Sequence, residues 1–292
     1  MDSLLTKRHR YKLQCQLLYL LTVKLPLVII RRLITSFITK TRVQHLAKSI
    51  FKILYSIKLL GYLPDGSKII YPLSELKLPV ITEEIYVRRV YHIDIPQNIR
   101  PSLVIDLGSH IGVFTIYAVH VIKADYVLAV EPNPLALHFL LLNILANRLS
   151  HKVKVIPWAI YDDEKDVVLH LHLFSLGDAS VMCEWHTDDV VDRIVVRAVP
   201  LSHLVPYIRK VKPRFLILKI DVEGAEEFIL RSMGPLFSMV DTLVLEVHGR
   251  NLVEKARKIY ELLISRFSLR DVTCLYSDAC ILKFVRPHIT YS

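Results

Sequence analysis

The sequence lacks several features that would settle its class at once. Its 292 residues include only four cysteines, Cys15, Cys183, Cys274 and Cys280, widely spaced and without a Cys-x-x-Cys. That argues against a disulfide scaffold or a zinc ribbon and fits a reducing compartment. Eight glycines and fourteen prolines are too few for a collagenous or low-complexity chain. Hydrophobic residues at 52% against 23% charged exclude wholesale disorder. Acids are nearly missing from the front: residues 1–60 hold 12 Lys and Arg with Asp2 as the one acid, while the rest holds 26 bases and 27 acids. The net charge of +10 therefore belongs to one end of the chain. A long apolar run is missing too. The densest stretch, Leu17–Ile30, is interrupted by Lys24 and Pro26. A spanning helix needs about 20 apolar residues, and a lysine at its centre costs about 2.5–3.5 kcal/mol. No small-residue cleavage site follows that run, so a cleaved signal peptide fits poorly.

What is present at the front is apolar and basic together. Leu46, Ile50, Ile53, Leu54, Ile57 and Leu60 recur at helical spacing, with Lys48, Lys52 and Lys58 off that stripe. Such a helix can lie on an anionic membrane surface, its apolar face at the acyl boundary. It can equally pack on the domain that follows, with its lysines solvated. Tyr11, Tyr19, Phe37, Phe51 and Tyr55 could stack on bases, but no nucleic-acid module is visible, so nucleic acid is not an expected partner. The expected layout is a basic amphipathic helical extension over 1–60, a linker and β preamble over 61–98, and one domain over 99–292. The expected location is the cytoplasm, with the extension resting on the inner face of the cell membrane.

Residues 68–93 contain short β-like runs, Lys68–Tyr71 and Ile85–Tyr91, broken by Pro72 and Pro79. From Ser102 strands and helices alternate. Strands are expected at Leu103–Asp106, Tyr126–Glu131, Lys152–Pro157, Phe215–Asp221 and Thr242–Val247, with helices between them. Asp166–Phe174 and Arg193–Val199 read as an inserted hairpin or edge pair, and Ser268–Leu275 with Cys280–Val285 as a closing antiparallel pair. The alternation predicts an α/β fold, a doubly wound Rossmann-like sheet with an antiparallel C-terminal strand pair.

The chemistry gathers at the expected strand ends. In Val104-Ile-Asp-Leu-Gly-Ser-His-Ile-Gly112 a strand runs into Asp106, Gly108 lets the backbone approach a ligand, and Gly112 lets the next helix pack. A dinucleotide fingerprint would place a glycine where Asp106 stands. A carboxylate there disfavours a pyrophosphate and suits a cationic ligand, which shifts the expected cofactor from NAD to S-adenosylmethionine. Glu131, at the end of the second strand, can accept both hydroxyls of an adenosine ribose in either case. In Leu218-Lys-Ile-Asp-Val-Glu-Gly-Ala-Glu226, alternation puts Lys219, Asp221 and, if extension continues, Glu223 on one side. They would emerge beside the first strand, at the crevice where such sheets bind ligands. Glu226 and Glu227 read as complements to a helix N-terminus. Glu246 and His248 make either an acid/base pair or a structural ion pair. His170 and His172, with Cys183 and His186, raise a metal site, but the spacing is loose and no metal is expected.

These stretches resemble the FkbM-like S-adenosylmethionine-dependent methyltransferases over about residues 100–250. The resemblance rests on VIDLGSHIGVFTIYA, on VLAVEPNP followed by LLNILANR, on LKIDVEGAEEFIL and on LVLEVHG. VKVIPWAI matches the family's third strand, which borders the adenine, and Gly177-Asp-Ala-Ser180 its small-residue loop. Two positions depart: His110 stands where the family commonly has Asn, and Ser202 where an Asp is common. The resemblance implies that Asp106, Gly108, Ser109, His110, Gly112, Glu131 and Asn133 bind S-adenosylmethionine. It also implies methyl transfer to a hydroxyl of a sugar, glycolipid or related small molecule, with Asp221 as first candidate base and His248 and Glu223 next. No Asn/Asp-Pro-Pro-Tyr segment ends the fourth strand, which disfavours base methylation. The rival readings are a non-catalytic membrane-associated scaffold that keeps the fold and an NAD-dependent enzyme.

Overall fold

The computed structural model describes residues 41–93, 95, 99–100, 102–172, 175–177, 179, 190–249 and 251–287. The chain divides into two compact units, Met1–Ile50 and Phe51–Ser292. The second starts with the end of helix α1 (Thr41–Ser56). A two-stranded antiparallel ribbon follows, β1 (Lys58–Tyr62) with β2 (Lys68–Pro72), turned by the Asp65-Gly66 pair. The helical stripe expected to run through Leu60 therefore stops at Ser56. The residues it misassigned, Ile57 and Leu60, are exposed, as is Ile53. Phe51 and Tyr55 form the packed side instead. The Tyr55 ring meets Phe139 edge-on at 5.5 Å, and its hydroxyl donates to Leu135 O. Bulky aromatics outcompete isoleucines for the buried face because each ring removes more apolar area from water.

The run Ile85–Tyr91, expected as a strand, is not one. Pro79 opens a short helix, α2 (Leu78–Thr82), which continues as a π-helical turn over Glu83–Val87. Proline in the first turn gives up no hydrogen bond and presets the helical φ. The turn buries Glu84 and Ile85 on one side, a placement that strand alternation would not give.

The main sheet has seven strands. In chain order its parallel part comprises β3 (Ser102–Leu107), β4 (Tyr126–Val130), β5 (Val153–Ile156), β9 (Phe215–Ile220) and β10 (Thr242–His248). Between β5 and β9 lies a separate three-stranded sheet, β6 (Ala159–Tyr161), β7 (Lys165–His172) and β8 (Val190–Pro200), in the order β6-β8-β7. The expected hairpin is there, with β6 added to its edge. The chain closes with β11 (Ser268–Cys274) and β12 (Ala279–Val285), antiparallel to each other, β12 running antiparallel to β10. Strand order across the main sheet is β11-β12-β10-β9-β3-β4-β5. The order reverses beside β3, which makes the C-terminal ends of β3, β9 and β10 the topological crevice.

Every residue of β3 and of β9 is buried. Their alternation is lost because helices cover both faces, as a parallel sheet requires. Helix α3 (Val113–His120) is buried from Val113 to Val119, while α4 (Pro134–Ala146) is capped by the Asn133 side chain accepting from Leu135 N. Helices α5 (Val205–Val211), α6 (Glu226–Arg231) and α7 (Leu252–Leu263) complete the crossovers. Among the described residues no helix is long and apolar enough to cross a membrane.

Candidate functional site

Two clusters stand at the C-terminal ends of the strands. The first is built by the turn after β3. Gly108 N and Ser109 N both donate to Val130 O, which ties the turn to the end of β4, and Ser109 Oγ donates to Asp106 O. Gly108 sits at φ 75° and Gly112 at φ 96°, the left-handed region where a side chain is strained. A Cβ on Gly112 would lie 2.7 Å from Leu140 Cδ1 of α4, so this glycine serves helix packing as expected. A Cβ on Gly108 would lie 1.8 Å from Asp221 O. The close approach it permits is thus to the backbone after β9, where approach to a ligand was expected.

Glu131 organises the far side of this turn. One carboxylate oxygen accepts from His110 N at 2.7 Å, the other from Asn133 N at 2.8 Å. Burial pushes its carboxyl above the ordinary range, against the pull of those two bonds. Each oxygen keeps a further lone pair for a ligand hydroxyl. Asn133, fully buried, also donates from Nδ2 to Leu176 O, binding the residues after β4 to those after β7. His110, at φ 53°, faces Glu75 Oε2 at 2.9 Å through Nε2. Glu75 comes from the preamble, and its Oε2 also accepts from Leu176 N.

Asp106 is placed differently from the expectation that it meets a cationic ligand. It is fully buried, accepting from Thr115 Oγ1 at 2.7 Å and pairing with Lys219 Nζ at 3.2 Å. In-register pairing of β3 with β9 sets Asp106 beside Lys219, so the carboxylate is held by the protein. It braces the turn that carries Gly108 and Ser109.

The second cluster stands where β9 and β10 end. Lys219 Nζ reaches Asp221 Oδ2 at 3.2 Å and lies over the rings of Tyr91 and Phe114 at 5.2 and 5.3 Å. Burial works against its charge, but Asp221 and Asp106 outweigh that and raise its pKa. The strand stops at Ile220, and Glu223 at φ 53° has left the extended backbone, so alternation does not place it. Its carboxylate nevertheless meets His248, Oε2 lying 3.8 Å from Nε2. His248 Nε2 is 3.2 Å from Glu246 Oε1, and Nδ1 is 3.2 Å from Glu226 Oε1. Burial opposes the charged imidazole, yet these three carboxylates raise its pKa well above the ordinary value.

Glu226 is therefore more than a complement to a helix end. It is buried and takes Gly224 N as well as the imidazole, whereas Glu227 pairs with Arg231 at the surface. Tyr91, buried, donates its hydroxyl to Glu246 Oε2. Glu75 and Tyr91 carried no local signal, because their partners lie 35 and 155 residues away. His170 and His172 lie buried in β7, where His170 Nδ1 faces Arg193 Nε at 3.4 Å. Cys183 and His186, with Asp178 and Ser180, fall outside the described residues.

At the border of this cluster, Glu84 accepts from the Tyr276 hydroxyl at 2.5 Å, and burial pushes its carboxyl up to about 7. An unfolded Glu ionises near its ordinary value of 4.5, so the folded chain holds the extra proton between those values. Stability from this group is full below pH 4.5 and is lost as pH rises through 7. Glu84→Gln, which keeps the acceptor for Tyr276, is expected to stabilise the protein by about 1–3 kcal/mol at pH 8 and hardly at all at pH 4.5. Thermal unfolding of both proteins at the two pH values checks this; an equal Tm difference at both would contradict it.

A family model for the methyltransferase FkbM domain matches residues 106–269. The chain belongs to the FkbM methyltransferase family. A curated relative, Methyltransferase 1 of Beauveria bassiana (strain ARSEF 2860), is 25% identical over 199 residues, covering 63% of this chain and 78% of that protein. Similar solved structures include an FkbM methyltransferase from Methylobacillus flagellatus KT. It is 14% identical at TM-score 0.41, covers 81% of this chain, and is itself spanned over 58% of its length. Human methyltransferase 10 domain containing protein is 12% identical at TM-score 0.46, over 84% of this chain and 98% of that one. TrmK of M. capricolum, solved with S-adenosylhomocysteine, is 12% identical at TM-score 0.40, over 66% and 68%. The last three likenesses concern the fold alone.

The cofactor of the family is S-adenosylmethionine, and the first cluster fits it. A carboxylate steadied by two backbone N–H groups stands beside the glycine turn, an acceptor suited to the two hydroxyls of a ribose. Gly108, Ser109, His110, Glu131 and Asn133 are the residues that would hold it. Gly112 and Asp106 shape the turn behind them.

Proposed function

We propose that this methyltransferase acts on oxygen, methylating a hydroxyl of a sugar, glycolipid or related small molecule, with Asp221 as the base. S-Adenosylmethionine, when bound, supplies a methyl group on a sulfonium. The chain must hold an acceptor hydroxyl in line with it and take up the proton as the oxygen becomes nucleophilic. One observation carries the reading: Asp221 stands between the two clusters, its backbone against Gly108 and its carboxylate beside Glu223 and His248. Both His248 nitrogens face carboxylates, which only accept hydrogen bonds, so the ring serves as a donor. That leaves Asp221, partly exposed and braced by Lys219, as the group best suited to receive a proton. Glu223 borders the same space and orients His248.

The charge segregation of the sequence supports an acceptor presented at an anionic membrane surface, with residues 1–60 as the basic contact. The test is transfer of labelled methyl groups from S-adenosylmethionine to a panel of glycolipids and free sugars, in anionic and in neutral vesicles. We expect base-stable labelling of a hydroxyl, greatest in anionic vesicles. Label that appears on nitrogen, or none in a protein that binds the cofactor, would sink the proposal and favour the scaffold.

A further inference from the structure

We infer that the exposed side shared by the β1-β2 ribbon and helix α4 is a docking face for an anionic lipid surface. On β1, Lys58, Leu60 and Tyr62 alternate with half-buried residues and so share one face. On α4, His138, Leu141 and Leu145 follow at spacings of three and four, which puts them on one side of the helix. The two rows run side by side. Lys58 Nζ lies 2.9 Å from His138 Nε2. Further along, the Asn143 and Asn147 side chains bond to the backbone of Ile70 and Lys68, the cross-strand partners of Leu60 and Tyr62. Leu60 is 58% exposed, Tyr62 68%, Leu141 45% and Leu145 64%. Single surface leucines need no explanation, but a continuous row of exposed apolar side chains does. α4 is apolar on nearly every side, the pattern of a helix covered all round, yet this side is open.

Charge selects the occupant. Residues 51–64 and 132–161 contain no Asp or Glu. Lys58 stands in the β1 row, Lys68 is exposed opposite Tyr62, and Arg148 is exposed just beyond the end of α4. The one acid of the ribbon, Asp65 in its turn, accepts from Ser67 N and the Tyr86 hydroxyl and pairs with His120 at 3.5 Å. A second copy of the chain laid on this face would bring bases against bases. An anionic bilayer offers phosphates to the ammonium groups and an acyl boundary to the leucines. A tyrosine such as Tyr62, apolar in body and polar at its tip, suits the headgroup level.

The use of this face to meet a membrane-borne acceptor rests on the proposed function; lipid binding itself does not. The test is co-sedimentation of the full chain with mixed phosphatidylglycerol and phosphatidylcholine vesicles, and with phosphatidylcholine alone. S-Adenosylmethionine binding and methyl transfer are measured on the same samples. The chain is expected to bind the anionic vesicles and not the neutral ones. The triple variant Leu60→Ser, Leu141→Ser, Leu145→Ser should bind them at least about 10-fold more weakly, with cofactor affinity unchanged. Val195→Ser with Val253→Ser, at exposed apolar positions on β8 and α7, should change nothing. In Tyr62→Trp, brominated acyl chains should quench fluorescence beyond the quenching seen in the unsubstituted protein. No binding by the full chain, unchanged binding by the leucine variant, or an equal loss in the valine variant would overturn the docking face. So would a Tyr62→Trp protein that brominated lipid does not quench further. A leucine variant that loses self-association and keeps its vesicle binding would overturn it in favour of a second copy. Vesicle binding as expected in a protein that transfers no methyl group would keep the face and overturn the reaction.

Discussion

Asp221→Asn is expected to lower turnover by about 10²- to 10⁴-fold while changing affinity for S-adenosylmethionine by no more than a few-fold. The substitution keeps an oxygen for Lys219 Nζ and leaves the backbone carbonyl beside Gly108 in place, so the fold and the cofactor turn should survive. What it removes is the capacity to accept a proton. Single-turnover kinetics with saturating cofactor, alongside calorimetric binding, separates the two effects. Full turnover in the Asn variant would remove Asp221 from the role. An equal loss in affinity would mean that it is a cofactor ligand instead.

Gly108→Ala should have the largest effect on the protein itself. The added methyl would sit 1.8 Å from a backbone oxygen, and φ 75° is strained for any residue with a Cβ. Neither problem can be relieved by turning a side chain. β3 and β9 would have to separate where Asp106, Lys219 and Asp221 are tied together. The expected cost is about 4 kcal/mol or more, in the range that marks a named structural fault, together with loss of S-adenosylmethionine binding. Gly112 is the internal contrast. Gly112→Ala shares the strain of a positive φ, at 96°, but its added methyl meets the flexible end of Leu140, 2.7 Å away, and no backbone atom, so it should cost less and retain a folded protein. Chemical denaturation of both variants measures the difference. Equal stability of Gly108→Ala and the unsubstituted protein would contradict the close approach of the two strands.

How much of this was legible in the sequence depends on distance along the chain. β3 and β9 could be read because they are short, mostly apolar runs, interrupted only by Ser102, Asp106 and Lys219 and followed by Gly108 and Asp221. Asp221 and the Glu246–His248 pair could be read from their positions at strand ends. Glu223 was reached by assuming extension past Ile220, where the backbone in fact turns; its side chain arrives at His248 by a different route. Asp106 was located but its surroundings were not. Only the register of β9 shows that Lys219 would neutralise it inside the protein. The π-helical turn at Glu83–Val87 defeats a propensity reading, since Ile85, Tyr86 and Val87 are residue types that favour strands yet stand there in a helical turn. Glu75 and Tyr91 were beyond reach, as each acts through a partner on a distant element.

The most direct test of the account is calorimetric titration of the purified protein with S-adenosylmethionine, S-adenosylhomocysteine and NAD, with Glu131→Ala beside it. The carboxylate that ties His110 N to Asn133 N should be indispensable to the nucleoside. The account predicts that the first two ligands bind with one site each, that NAD does not, and that Glu131→Ala weakens both by at least about 10-fold. Binding of NAD alone, or no binding to a demonstrably folded sample, would contradict it.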